Sequence, residues 1–263
     1  MKRQKNIRKK AIPLWWVVCM SLFSAGIVSC VSTDPSVNYG IRRGFEAYIP
    51  ARIAVLSCRV MPPGLRYSGQ FPFNVADEDL KGLCHDLDRR VIEGFSNQPY
   101  MKGFTPALVA AFLSKAGAED MTEEISALWQ SGVERCHSCE NGPQAYQVVL
   151  ENSVGWHDWL NRFSRHTDYA DAILMPMISE AVERVSDDRG AWIAERYARI
   201  ELFLIDTNNG KLLWAGGRSA SISSQSLRKT SQTPPPPYPH WDRLKERLFT
   251  ETIWQGFPGR QLK

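Results

Sequence analysis

Residues 196–223 read RYARIELFLIDTNNGKLLWAGGRSASIS, and this stretch decides the fold. In RYARIELFLID (196–206), Ile200, Leu202 and Leu204 face one way and Arg199, Glu201 and Phe203 the other. That two-residue period is the signature of a β-strand. Asn209-Gly210 follows, a dipeptide whose residues both accept positive φ and so close a tight hairpin. KLLWAGGRSASIS (211–223) is the returning strand. Gly216-Gly217 is not followed by Lys-Ser/Thr or a helix start, so it reads as a bulge or a close backbone contact, not a phosphate loop. Ser219, Ser221 and Ser223 alternate along the strand and read as an exposed polar face.

Upstream of the hairpin, AILMPMI (172–178) is nearly all apolar and reads as a strand covered on both faces. Pro176 lacks the N–H that a central strand uses, so a bulge or a strand end is expected there. RIAVLSC (52–58) is another buried strand, and the Pro- and Gly-rich segment 59–75 is a long loop. Asp77 opens a helix whose Leu80, Leu83, Cys84, Leu87 and Val91 form one apolar stripe. A short strand is expected around YMKGF (100–104). Thr105-Pro106 then caps and starts a helix built on Leu108, Val109, Phe112 and Leu113, and Gly117 stops it. Ile125, Leu128 and Trp129 suggest a further helix. Residues 134–142 form a connector, and Pro143 opens a helical region ending with Trp156, Leu160 and Phe163 on one face. Pro234 to Pro237 impose an extended, stiff spacer that carries a last helix bearing Trp241, Leu244, Leu248 and Thr252. The fold class is therefore α/β: a mixed sheet with a C-terminal antiparallel hairpin and helices on both faces.

The composition is that of a globular protein: 43% hydrophobic, 23% charged and 11% aromatic. It excludes wholesale disorder, collagen, coiled coil and a polytopic membrane protein. Charge is unevenly placed. Six Lys/Arg (Lys2, Arg3, Lys5, Arg8, Lys9, Lys10) stand in residues 1–29 without an acid; the rest holds 32 less six, or 26 bases, against 28 acids. The formal +4 thus belongs to one end, and the body carries no signature of nucleic-acid binding.

Those bases precede AIPLWWVVCMSLFSAGIVS (11–29), nineteen residues without a charge. This is the layout of an export signal. An uncleaved signal anchor and a plainly secreted protein are the competing readings. Ile27-Val28-Ser29-Cys30 decides between them, because it resembles the lipobox of bacterial lipoproteins. The resemblance implies diacylglycerol transfer to Cys30, cleavage after Ser29 and acylation of the new amino terminus. At about 0.8 kcal/mol per buried CH₂, several acyl chains hold a protein stably on a bilayer. Val31 in place of Asp implies the outer membrane. The expected domains are a signal peptide (1–29), a lipidated tether (30–50), an α/β domain (51–224), a Pro-rich spacer (225–239) and a C-terminal helix and tail (240–263).

RIAVL (52–56), ADAILMPMI (170–178) and RIELFLIDTNNGKLLWAGG (199–217) together resemble a group of bacterial outer-membrane lipoproteins. It includes the curli-secretion lipoprotein and the lipoprotein activators of penicillin-binding proteins. An uncharacterised lipoprotein family of spirochaetes and myxobacteria is a second resemblance. Two departures stand out. The helical stretch 105–166 is longer than the pattern needs, and no segment has the alternating, charge-free pattern of a membrane-barrel hairpin. The resemblance implies a non-catalytic accessory or assembly factor, facing the periplasm and binding envelope proteins.

Chemistry is sparse. Cys19 leaves with the signal and Cys30 takes the lipid; Cys58, Cys84, Cys136 and Cys139 remain as candidate disulfide partners. Of three connectivities, Cys58–Cys84 with Cys136–Cys139 suits the layout, since Cys58 ends a strand and Cys84 points from the next helix toward it. The competing reading is reduced, buried thiols. Cys136-His137-Ser138-Cys139 has the spacing of thiol–disulfide oxidoreductases but lies between helices, away from the helix start that activates such a thiol. Zinc would need a second such knuckle, which neither His85 nor His137 supplies. His157, Asp158, His166, Asp168 and Asp171 read as a solvated face, because His157 and His166 fall half a turn out of register. No cofactor and no metal is expected. Two alternatives stand beside the accessory role: an oxidoreductase using Cys136 and Cys139, and an oligomeric secretion channel.

Overall fold

The computed structural model describes residues 38–41, 48–60, 75–95, 101–135, 153–188, 190–226 and 234–259. Its strands are β1 (Asn38–Ile41), β2 (Arg52–Val55), β3 (Arg59–Val60), β4 (Lys102–Phe104), β5 (Ala172–Asp188), β6 (Ala191–Asp206) and β7 (Leu212–Gln225). Its helices are α1 (Asp77–Phe95), α2 (Pro106–Lys115), α3 (Met121–Arg135), α4 (Trp156–His166) and α5 (Trp241–Leu248), followed by a 3-10 turn at Glu251–Trp254. Among the described residues the strands form one mixed sheet in the order β1-β7-β6-β5-β2-β4, with β3 also beside β5. β2 runs parallel to β4 and β5, and β5, β6 and β7 are antiparallel.

Both faces of the sheet are covered. Ile53, Leu174, Ile200, Leu202, Leu204 and Trp214 pack against α1, α5 and the C-terminal turn. Ala54, Ile173, Met175, Phe203 and Ile205 pack against α2, α3 and α4. The α1 stripe is as expected at its centre: Leu83, Leu87, Val91 and Phe95 are buried, with Leu80 and Cys84 at its margin. In α2 the inward pair is Val109 and Leu113; Leu108, expected inside, is exposed, and Phe112 sits at the edge with its ring against Phe104. Thr105 caps that helix by accepting the Leu108 N–H, and Gly117 takes the left-handed φ that ends it.

The central strands are longer than the pattern suggested. β5 continues through 179–188, where Glu, Arg and Ala would suit a helix; pairing with residues 191–199 of β6 overrides that preference. Pro176 neither ends nor bulges β5, contrary to expectation. Leu174 O accepts the Leu56 N–H, so position 176, two residues on, turns its nitrogen toward the same neighbour. There the ladder is already interrupted: Val55 pairs with Leu174 and Arg59 with Met177, so Leu56, Ser57 and Cys58 lie opposite only Met175 and Pro176. The bulge belongs to the neighbouring chain segment. β5 has its own irregularity between Ile178 and Glu180, which turns Glu180 toward the α2–α4 face.

Two further differences concern loops and ends. Residues 38–41, within the segment read as a tether, pair with β7 from Trp214 to Gly216. The hairpin turn is not a two-residue turn with two positive φ angles; Gly210 alone is left-handed, at +68°. Asp206 organises a four-residue loop instead. Its carboxylate accepts the Asn208 N–H and the Asn209 side chain, and its carbonyl accepts the Gly210 N–H.

Candidate functional site

Cys30, Cys136, His137 and Cys139 lie outside the described residues, as does the first part (143–152) of the helical region expected from Pro143; its second part is α4, with Trp156, Leu160 and Phe163 buried. Cys58 and Cys84 are brought together and joined as a disulfide, Cα to Cα 5.2 Å. The fold explains the meeting. Cys58 stands where the chain leaves the ladder beside Pro176, and Cys84 stands at the margin of the α1 stripe that covers this part of the sheet. Asp88, one helical turn beyond Cys84, accepts the Cys58 N–H at 2.8 Å. Burial pushes its carboxyl up to about 6, against the opposing pull of the Cys58 hydrogen bond and the nearby His85. Asp86 behaves oppositely. Burial raises its carboxyl, but Lys245 at 2.7 Å and Arg89 outweigh this and hold it below the usual range, tying α1 to α5. Sequence reasoning found Cys58 and Cys84 but passed over Asp88. The signal was present as Cys84-x-x-x-Asp88, a spacing that stacks two side chains on a helix.

The remaining sequence-level candidates do not form a site together. His157 and Asp158 are exposed on α4, and Asp171 accepts the Arg52 N–H and pairs with its guanidinium, which also donates to Asp168 O. Among the described residues no three His, Cys, Asp or Glu side chains converge as metal ligands. The serine row is not an exposed face, contrary to expectation. Ser219 is buried and meets the Tyr197 hydroxyl, which also meets Glu180. Burial first and the Glu180 charge second push Tyr197 up to about 12, so it stays a neutral hydrogen-bonding group. Beside it the buried Glu201 receives Arg199 Nε at 3.2 Å.

Gly216 is a close backbone approach. A Cβ there would lie 2.5 Å from Ile253 O and 2.5 Å from the Trp214 ring. The C-terminal turn thus rests directly on the sheet, with Trp214 stacked on Trp254 and edge-on to Phe257. The proline run leads to this packing. Pro237 O accepts from Ser224, Pro239 O accepts from Arg196, and the Arg196 guanidinium lies 4.8 Å over the Trp241 ring while pairing with Glu183. A cleft of about 280 Å³ separates α1 from the C-terminal turn, with Leu202 at its floor and Arg90, Glu93 and Glu251 lining it. A groove of about 530 Å³ runs between α3 and α4, where Arg162 pairs with Glu124.

No family model matches the chain, and no curated protein matches it. Solved structures do match. The lipoprotein GNA1162 from Neisseria meningitidis is 18% identical, with 69% of this chain and 88% of that one covered and a TM-score of 0.34. The PelC dodecamer from Paraburkholderia phytofirmans is 11% identical, with 89% and 100% covered and a TM-score of 0.27. The C-terminal domain of LpoB from Salmonella enterica is 11% identical, with 69% and 90% covered and a TM-score of 0.27. The structural neighbours therefore include bacterial lipoproteins and an LpoB domain. At these values the likeness says nothing of what this chain binds.

Proposed function

We propose that this chain is an envelope lipoprotein, held on the outer membrane through acylated Cys30. Its α/β domain acts in the periplasm as a non-catalytic accessory or assembly factor for other envelope proteins. The observation that carries the reading is Ile27-Val28-Ser29-Cys30 placed directly at the end of an uncharged nineteen-residue run behind a basic cluster. The Cys58–Cys84 disulfide supports it, because such bonds persist in oxidising compartments outside the cytosol. The mechanism is tethered binding: an acyl anchor confines the domain to a thin layer and raises its effective concentration for partners there.

Radioactive palmitate labelling, with mass spectrometry of the purified protein, tests the anchor. The expected product begins at an acylated Cys30, and Cys30→Ala leaves an unlabelled, uncleaved precursor. A native protein with an unmodified start, or one recovered from the cytosol, overturns the reading. Crosslinking in intact cells then identifies the partners.

A further inference from the structure

The Cys58–Cys84 bond is placed unlike a purely structural disulfide. Both cysteines are half-buried at the margin of the core, next to the exposed Lys81 and His85. The backbone at Cys58 lies in the ladder interruption: Leu56, Ser57 and Cys58 stand opposite Met175 and Pro176, and Pro176 has no N–H to offer. Cys58 can therefore move off Cys84 without breaking a ladder pair; its N–H is held by a side chain, Asp88, at 2.8 Å.

We propose that Cys58–Cys84 is a thiol–disulfide exchange site, opened in the folded protein by an external dithiol, with Asp88 as the proton donor to the leaving sulfur. A thiolate of the dithiol attacks Cys84 Sγ and a mixed disulfide forms. The Cys58–Cys84 bond breaks, and its electron pair leaves on Cys58 Sγ, which takes the Asp88 proton. The second thiol of the partner then attacks the mixed disulfide. The partner leaves oxidised to a disulfide, and the Cys84 thiolate is protonated from solvent. Two electrons pass from the dithiol to the protein, and two protons end on Cys58 and Cys84. Asp88 recovers its proton from the one released by the second thiol. The carboxyl suits this role, because burial pushes it up to about 6, where it carries a proton under mildly acidic conditions. Among the described residues the charges around it are few. His85 lies on its own helix, Asp86 is engaged with Lys245 of α5 and with Arg89, and Arg59 of β3 reaches away to Ser126 and Thr122 of α3.

The test uses the full-length protein in a non-ionic detergent, with dithiothreitol as the dithiol. Reduction is followed by alkylation and mass spectrometry of the peptides carrying Cys58 and Cys84, with circular dichroism confirming that the fold persists. The wild-type bond is expected to open without urea. After correction for the thiolate fraction of dithiothreitol, its rate should fall as pH rises through about 6. Asp88→Asn keeps an acceptor for the Cys58 N–H but has no proton to give. Its corrected rate should be flat with pH and several-fold lower than wild type at pH 5.5. A wild-type bond that opens only after unfolding overturns the proposal. So does an Asp88→Asn profile that matches wild type across the pH range.

Discussion

Replacing Gly216 by alanine adds one methyl group where the sheet touches the C-terminal turn. The new carbon would sit 2.5 Å from Ile253 O and 2.5 Å from the Trp214 ring, while ordinary contact begins at 3.4 Å. One side must therefore retreat by about 0.9 Å, the difference between those two distances. Neither neighbour is a flexible side-chain end: one is backbone and the other a fully buried indole. The retreat strains or breaks the Trp214 Nε1 hydrogen bond to Gln255 O at 3.2 Å, and with it the stacking of Trp214 on Trp254. Overpacking of a tight core costs about 1–3 kcal/mol and a lost hydrogen bond about 1 kcal/mol, so the expected loss is about 2–4 kcal/mol. In urea this lowers the unfolding midpoint by roughly 1–2 M. Circular dichroism during urea titration measures it, and hydrogen exchange across residues 249–257 shows whether the turn has lifted. Gly82→Ala is the control. It is the same chemical change within α1, where nothing lies within 4 Å of the added carbon, and it should raise stability by about 0.5–1 kcal/mol. If Gly216→Ala unfolds within 0.5 kcal/mol of wild type, a size taken as the ordinary scatter of neutral substitutions, the close approach is wrong.

Trp214→Ala removes a fully buried ring that packs on Trp254 and Phe257, and should cost about 3–5 kcal/mol by the same urea titration. Thr105→Ala removes the cap on the Leu108 N–H and should cost about 1 kcal/mol, with hydrogen exchange rising first at the start of α2. Asp88→Asn should change the pH dependence of stability. Because the folded carboxyl is raised from 3.8 to about 6, the native state holds a proton that the unfolded chain has lost between those values. Its stabilising contribution is full below pH 3.8 and is lost as pH rises through about 6; the asparagine variant lacks this fall. Thermal unfolding in buffers from pH 3.5 to 7.5 compares the two, and parallel curves would refute the assignment.

Local pattern made much of this protein legible in its sequence. The alternation of Ile200, Leu202 and Leu204, the glycine at 210, the Leu83–Leu87–Val91 stripe and the Thr105-Pro106 start all act between near neighbours in the chain, and each holds in the structure. So does the sheet with helices on both faces. The disulfide partners, 26 residues apart, were readable too, because Cys58 closes the apolar run 52–58 and Cys84 stands on the apolar stripe of the next helix.

What only the tertiary structure decided depends on pairing over longer distances. Nothing near Pro176 announces that its missing N–H faces an interruption formed by Leu56, Ser57 and Cys58, about 120 residues earlier in the chain. Residues 179–188 carry helix-forming side chains and become strand because β6 lies beside them. Ser219 reads as a surface serine until the fold places Tyr197 and Glu180 around it, and Asp88 reads as one more helix acid until the Cys58 N–H arrives. Periodicity and turn chemistry are properties of a few consecutive residues, so a sequence displays them directly. Burial, hydrogen-bond partners and proton affinity belong to groups that meet only after the chain has closed loops of tens to hundreds of residues, and no local pattern records which groups those are.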